Sequence, residues 1–213
     1  MKITLTDAGK RFNRDWIFRH FHYEFIVSHS YAITGPNGSG KSTLLQALAG
    51  SIGVSEGAVA YGGDEAGPDG GRMAIPADEI FQHLSIAAPY LEVIEEMTAA
   101  EFLQFHASFK PLLPGWTVAD ILMRVGLGGA TGKQIRYFSS GMKQRVRLAQ
   151  AIFSDVPLVL LDEPCTNLDK EGIALYRQLM EEQGRGRLIV VSSNDPQEYD
   201  FCEKIISVMD HKT

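Results

Sequence analysis

Tyr31-Ala32-Ile33-Thr34-Gly35-Pro36-Asn37-Gly38-Ser39-Gly40-Lys41-Ser42-Thr43 decides the fold. Its first four residues form a short, nearly unbroken apolar run, the pattern of a buried strand. Gly35 to Ser42 fits G-x-x-x-x-G-K-[ST], and Ser42 to Ala49 is rich in helix formers. Gly50 follows at the C′ position, where helices commonly stop. Strand, glycine-rich turn and helix, in that order, suit a phosphate-binding loop. The glycines let backbone N–H groups curl around a β-phosphate, and the helix N-terminus adds a favourable dipole. Lys41 is expected to contact the β- and γ-phosphates, and Ser42 to hold Mg²⁺ through its hydroxyl.

A second stretch, Leu158-Val-Leu-Leu-Asp162-Glu163-Pro164, complements the first. A wholly apolar strand is one covered on both faces, and its two terminal acids then fall at the carboxyl edge of a sheet, where open α/β sheets bind ligands. Asp162 is expected to bind Mg²⁺ through water. Glu163, pointing the other way, is the candidate for polarising an attacking water.

Working outward, Lys2 to Thr6 alternates polar and apolar, and Trp16 to Val27 is dense in aromatic and β-branched residues. Both read as half-buried strands, and Gly57 to Gly63 as another. Glu65 to Arg72 reads as a loop rich in Gly, Pro and Asp. Thr98-Ala-Ala-Glu101 is a capping box opening a helix to about Phe109, and Thr117-Val-Ala-Asp120 repeats it before Ile121, Leu122 and Val125. A third helix is expected from about Ser140 to Phe153. Leu158–Leu161 and Leu188–Val191 read as buried strands, Asp169–Gln183 as a helix between them, and Lys204–Met209 as a last strand. Buried strands alternating with helices indicate an α/β protein with a mostly parallel sheet. A mostly helical insert, about residues 78–150, interrupts it.

Tyr137-Phe138-Ser139-Ser140-Gly141-Met142-Lys143-Gln144-Arg145-Val146-Arg147-Leu148-Ala149-Gln150-Ala151 lies between the two phosphate-related stretches. It resembles the signature motif of ATP-binding cassette (ABC) proteins, usually Leu-Ser-Gly-Gly-Gln, with the helix that follows it. Ser139 precedes Asp162 by 23 positions, the family's spacing, and Thr166-Asn167-Leu168-Asp169 is similar to the family's D-loop. Four landmarks in family order cover essentially the whole chain. The resemblance implies a single cassette over residues 1–213. In it a P-loop NTPase core and an N-terminal antiparallel β subdomain take about 1–77 and 151–213, and the helical insert takes the rest. It also implies two such domains paired head to tail, each ATP lying between one subunit's phosphate loop and the other's signature.

The residues that this likeness assigns can be named one at a time. Gly35, Pro36, Asn37, Gly38, Ser39, Gly40, Lys41, Ser42 and Thr43 would hold ATP, with Ser39 inside the loop. Ser139 and Gly141 would offer a hydroxyl and an amide to a γ-phosphate across the dimer, since a helix N-terminus suits an anion. The Ser139-Ser140 pair equally reads as a plain N-cap for its own helix. Phe12 matches the place of an aromatic that stacks on adenine, or is a strand aromatic in the core. Ser42 and Asp162 are the metal candidates; Glu163, Lys41 and Asn194 the catalytic ones.

This chain departs from the family at several of those places. Ser140 replaces the signature's first glycine and Met142 its glutamine. The Q-loop glutamine should fall near Pro89-Tyr90, and Gln82 lies too early. Asn194 stands where a switch histidine should follow Val190-Val191-Ser192-Ser193. An asparagine can donate a hydrogen bond to a γ-phosphate but cannot carry charge or shuttle a proton. ATP and Mg²⁺ binding are therefore expected, and hydrolysis is expected to be slow but real.

Composition limits the alternatives. At 213 residues the chain buries a full core without staples, and its 45% apolar and 22% charged content is that of a globular protein. Twenty basic against 26 acidic residues, a net charge of −6, is a poor footprint for nucleic acid. Six basic residues and no acid lie between Ile121 and Ser154, a run expected to be a solvated helix face. Cys165 and Cys202 cannot form a disulfide framework and fit a reducing compartment, Cys165 as a buried thiol. His20 and His22 share a strand face without a third metal ligand. The longest charge-free run, Phe25–Gly40, is 16 residues with Pro36 inside, too short to span a bilayer. These features point to a cytoplasmic chain, and the resemblance implies that an integral membrane transporter subunit holds it at the inner face of a membrane. Glu92, Glu95 and Glu96 form an acidic loop where the family meets that subunit. The expected function is an ATP-hydrolysing transporter subunit in a homo- or heterodimer. The alternatives are a degenerate ATP-sensing subunit paired with a competent one, or a non-transport cassette ATPase. A small-molecule phosphotransferase is disfavoured by the signature.

Overall fold

The computed structural model describes residues 1–66 and 72–212. Two sheets organise the chain. In the first, β1 (Lys2–Phe12) turns through Asn13 and Arg14 into β2 (Asp15–Ile26), and β1 also pairs antiparallel with β4 (Glu56–Ala66). With β5 (Arg72–Ile75) on the far side of β4, the order is β2-β1-β4-β5. Asn13 takes φ +54°, a left-handed conformation that asparagine tolerates in tight turns. The second sheet is wholly parallel. Its strands are β3 (Ser30–Thr34), β6 (Leu84–Ala87), β7 (Leu158–Asp162), β8 (Leu188–Ser192) and β9 (Lys204–Ser207), in the order β6-β7-β8-β3-β9. This is the α/β P-loop NTPase architecture, with an N-terminal antiparallel sheet and a helical stretch inserted between β6 and β7.

The helices start where the chain supplies caps. α1 (Lys41–Leu48) opens on Gly40 and is closed by Gly50, whose N–H donates to the Ala47 carbonyl at φ +68°. α2 (Ala99–Ala107) and α3 (Val118–Arg124) each begin with a closed capping box, Thr98 with Glu101 and Thr117 with Asp120. α4 (Ser140–Ile152) is capped by Ser139, whose hydroxyl accepts from the Met142 N–H. α5 (Lys170–Gln183) is capped by Asp169, which accepts from the Gly172 N–H.

Two hydrophobic cores share the parallel sheet. Leu158, Leu160, Leu188 and Val190 point into one, with Ile3, Leu5, Phe18, Phe21 and Phe25 of the antiparallel sheet and Leu44, Leu45 and Leu48 of α1. Val159, Leu161, Ile189 and Val191 point into the other, against side chains of α2 to α5. This is the two-residue alternation of a strand buried on both faces. Arg187 is buried too. Its guanidinium donates to the carbonyls of Ile152, Ser154 and Val156 at 2.7–2.9 Å, taking the place of water at the end of α4. Burial lowers its pKa to about 10.

Some expectations differ from the structure. The sequence pattern predicts no strand within 78–150, yet β6 lies there and pairs with β7, so the helical stretch begins beyond Ala87. α2 ends at Ala107 rather than near Phe109, with Ser108 and Phe109 closing the turn. β9 stops at Ser207, and Val208 to His211 form a 3₁₀ turn. The loop expected over Glu65–Arg72 falls mainly on residues 67–71, outside the described residues.

Candidate functional site

The site sits at the carboxyl edge of the parallel sheet, where β7, β8 and β3 lie side by side. The register places Ser192 opposite both Asp162 and Ile33, so the ends of three strands converge. Residues 35–40 leave β3 through three left-handed glycines: Gly35 at φ +147°, Gly38 at +75° and Gly40 at +104°. A side chain at Gly40 would also strike Ile17 of β2, its Cβ only 2.2 Å from the Ile17 Cγ2. The antiparallel sheet thus rests on the loop. A Cβ at Gly38 would meet nothing within 4 Å, so that side of the loop is open.

Lys41 is 5% exposed, and its Nζ donates to the Gly35 and Pro36 carbonyls at 2.9 and 3.3 Å. The ammonium is thereby folded back across the loop. Asp162, 2% exposed, follows the apolar run of β7. Among the described residues, three buried side-chain oxygens have no hydrogen-bond partner: Ser39 Oγ, Asp162 Oδ1 and Ser192 Oγ. All three belong to this edge. Buried polar atoms are ordinarily satisfied, so three orphaned oxygens on one sheet edge are the mark of a polar ligand site. A carboxylate and the hydroxyl of Ser42 are hard oxygen donors suited to Mg²⁺.

Glu163 leaves β7 at φ +43°, unusual for a residue with a side chain. Its N–H donates to the Ser192 carbonyl at 2.9 Å, and its Oε2 lies 3.5 Å from the Thr166 hydroxyl. Asn194 follows β8, and its Nδ2 donates to the Asn37 Oδ1 at 3.2 Å. The structure therefore brings Lys41, Asp162, Glu163 and Asn194 to one sheet edge.

Ser139 and Gly141 are elsewhere. With Arg145, Asn167 and Asp169 they line a groove of about 370 Å³ to which no phosphate-loop residue contributes. The Gly141 Cα approaches the D-loop so closely that a Cβ would lie 2.9 Å from the Asn167 carbonyl. Phe12 is 48% exposed at the end of β1, with Lys10 Nζ 5.1 Å from its ring centroid, and is not a core aromatic. Near the expected glutamine stands Tyr90. Partial burial pushes its phenol above the ordinary range; the Gln46 side chain hydrogen-bonds it, and Asp162 lies close enough to be felt.

The other singled-out groups have local partners. His22 Nδ1 accepts from the Asp7 N–H at 3.2 Å, and His20 Nδ1 lies 2.7 Å from Asp7 Oδ1, so both rings are turned to one acid. Burial drives the Cys165 thiol far above its usual range, leaving no thiolate for chemistry. The basic run is largely paired rather than simply solvated. Lys143 meets Glu95 at 2.5 Å, Arg136 Glu96 at 3.9 Å, Arg145 Asp169 at 3.4 Å and Arg124 Glu182 at 2.8 Å. Arg147 donates to the Leu91 carbonyl. The sequence pattern missed Gln144 and Glu198, buried polar residues that reach this edge only through tertiary contacts.

A phosphate-binding loop facing a buried aspartate and an adjacent glutamate defines a P-loop nucleotide-binding protein. The sequence profile of the family described as ABC transporter matches residues 19–166. The cytochrome c biogenesis ATP-binding export protein CcmA of Agrobacterium fabrum is 30% identical over 92% of this chain and 90% of its own length. A protein from Pyrococcus furiosus assigned as the ATP-binding protein of an ABC transporter superposes over all of both chains, with TM-score 0.82 and 18% identity. A bacterial ABC transporter cassette solved as a dimer gives TM-score 0.77 at 23% identity, over 96% of this chain and 93% of that one. The chain belongs to the ABC transporter family, as one of its ATP-binding cassettes.

Proposed function

We propose that this chain binds ATP with Mg²⁺ at the carboxyl edge of its parallel sheet and hydrolyses it slowly to drive a membrane transporter. The observation carrying this reading is the trio of unpartnered buried oxygens, Ser39, Asp162 and Ser192, on the sheet edge that also carries the buried Lys41. Backbone N–H groups of the loop, Pro36 excepted, and the Lys41 ammonium bind the phosphates, and Ser42 and Thr43 lie in the first turn of α1, whose dipole favours them. Ser42 and Asp162 would hold Mg²⁺, which supplies charge neutralisation across the β- and γ-phosphates. Glu163 orients and polarises the attacking water, and Asn194 offers its amide to the γ-phosphate. Phe12 lends its exposed ring to adenine.

Ser139 and Gly141 lie in their own groove, so a second subunit must bring its signature to this chain's ATP. The dimeric relative and the isolated groove both support that arrangement. The partners are then a second cassette, identical or related, and an integral membrane subunit holding the pair on the cytoplasmic face. No helix among the described residues is long and apolar enough to cross a membrane. The pairing of its basic run leaves little surface for nucleic acid.

The test is ATP binding and turnover of the purified chain against Glu163→Gln. Binding with turnover cut to a small residual rate by the substitution is expected; binding with turnover unchanged refutes the assignment of Glu163. Asn194, with an uncharged amide on Asn37, also favours a second reading, a mainly ATP-sensing subunit paired with a competent one. Glu163→Gln that stays monomeric at saturating ATP and high protein concentration selects it over a working homodimer.

A further inference from the structure

Two buried polar side chains grip opposite ends of one peptide bond beside the catalytic centre. Gln144 of α4, 1% exposed, donates from Nε2 to the Pro164 carbonyl at 2.8 Å. Glu198, 5% exposed in the 3₁₀ turn after β8, accepts at Oε1 from the Cys165 N–H at 2.7 Å. The Pro164 carbonyl and the Cys165 N–H belong to the same peptide unit. Each gripping side chain is itself held. Arg147 donates to the Gln144 Oε1 at 3.3 Å while donating to the Leu91 carbonyl at 2.8 Å, which fixes which end of the amide faces Pro164. The Tyr176 hydroxyl donates to the Glu198 carbonyl at 2.8 Å, and Ser193 reaches the Glu198 side chain.

The gripped peptide follows Glu163 by one residue, and that residue is proline. The Glu163 N–H is anchored on Ser192, and the proline ring fixes its own φ. Between the anchor and the grip the backbone therefore retains three soft torsions: φ and ψ of Glu163 and ψ of Pro164. Glu163 sits at φ +43°, a conformation that persists only where the surroundings over-determine it. The Thr166 N–H donates to the Glu163 carbonyl at 3.1 Å, so this turn and the grip together restrain the torsion set.

We propose that Gln144 and Glu198 are positioning residues for Glu163, holding its strained backbone, and hence the direction of its carboxylate, by clamping the Pro164–Cys165 peptide. This rests on the reading of Glu163 as the group that polarises water. The clamp joins three segments distant in sequence: the helix that follows the signature, the turn behind Asn194, and the end of β7. Neither residue is placed to touch ATP, so each acts through Glu163 alone.

The experiment compares Gln144→Met, Glu198→Met and Glu198→Gln in the purified chain, alone and combined with Glu163→Gln. Turnover, the KM for ATP, the Kd for a fluorescent ATP analogue and thermal unfolding are measured. The methionine variants should lose about tenfold to a hundredfold in kcat, the effect of misplacing a reacting group by up to an ångström. Nucleotide Kd should stay within about twofold. Glu198→Gln keeps an acceptor for the Cys165 N–H and should recover most of the rate. In the Glu163→Gln background the same changes should lower residual turnover no further, whereas a merely structural defect would lower it again. Wild-type kcat in both methionine variants, or losses that add to that of Glu163→Gln, overturns the proposal. Glu163→Gln with unchanged turnover removes the underlying reading and the proposal together, so the two failures are told apart by one variant. Should a methionine variant fail to fold, Glu198→Asp, which withdraws the carboxylate by one methylene, takes its place under the same criteria.

Discussion

Gly141→Ala perturbs the junction between the signature helix and the D-loop by a single methyl. The new Cβ would stand 2.9 Å from the Asn167 carbonyl oxygen, about half an ångström short of ordinary contact. The neighbour is backbone and cannot rotate away. Asn167 is already left-handed at φ +65°, and its loop is closed by the Leu168 N–H on the Cys165 carbonyl at 2.9 Å. Overpacking of this kind costs about 1–3 kcal/mol. Gly141 lies in the first turn of α4 without a positive φ, so alanine also returns up to about 1 kcal/mol of helix propensity. The clash outweighs the propensity, leaving a net loss of up to about 2 kcal/mol, or a fall in Tm of up to about 8 °C for a chain of this size. Function should suffer more than stability. Shifting the D-loop by a few tenths of an ångström moves the segment that follows Glu163, and a rate loss of about tenfold is expected. ATP affinity of the unpaired chain should not change, because no phosphate-loop residue lines that groove. Steady-state ATPase, nucleotide titration and differential scanning fluorimetry on one preparation read all three quantities. A variant with Tm raised by the full propensity gain and kcat within about twofold of the parent would show that the loop yields freely, and would refute the reasoning.

Other outcomes follow from separate parts of the molecule. Lys41→Met removes a charge-assisted donor worth about 1.5–3 kcal/mol for each phosphate contact, so the Kd for ATP should rise by at least about tenfold with little change in fold; equilibrium binding and circular dichroism check this. Arg187→Leu leaves the buried carbonyls of Ile152 and Val156 unsatisfied, each at about 1–3 kcal/mol, while that of Ser154 keeps the Val156 N–H; no longer burying a charge offsets part of the cost. A net loss of about 2–4 kcal/mol, visible in urea unfolding, is expected. His106, whose pKa burial lowers to about 4 from an ordinary 6.5, stays neutral in the folded state where the unfolded chain takes up a proton. Its contribution is complete above pH 6.5 and is lost as pH falls through that window, by roughly 1 kcal/mol after allowing for partial exposure. His106→Gln should flatten the fall in Tm between pH 6.5 and 4.

What could be read from the sequence was whatever the chain states locally. Gly35, Gly38, Gly40, Lys41 and Ser42 are neighbours, and their spacing alone implies the loop's curvature. The capping boxes at Thr98 and Thr117 were legible because each closes within four residues. β6 was not, because Leu84–Ala87 follows the apolar Ile80-Phe81 with no glycine or proline between them to mark a boundary. Gln144 and Glu198 carry no local mark in the sequence. Their roles depend on a peptide that lies 20 positions or more away in the chain. The pairing of four of the six basic residues with Glu95, Glu96, Asp169 and Glu182 was hidden for the same reason: charge counts carry no pairing. Phe12 was ambiguous from its type and settled only by exposure.

The alternation of β7 and β8 between two cores has a consequence for how the molecule reports on itself. Leu160 and Leu161 are joined by one peptide bond yet belong to different cores, one shared with the antiparallel sheet and α1, the other with the helices beyond. The parallel sheet is a party wall. If the helical layer swings relative to the nucleotide-facing half, a methyl label at Leu161 should sense it and one at Leu160 should stay silent.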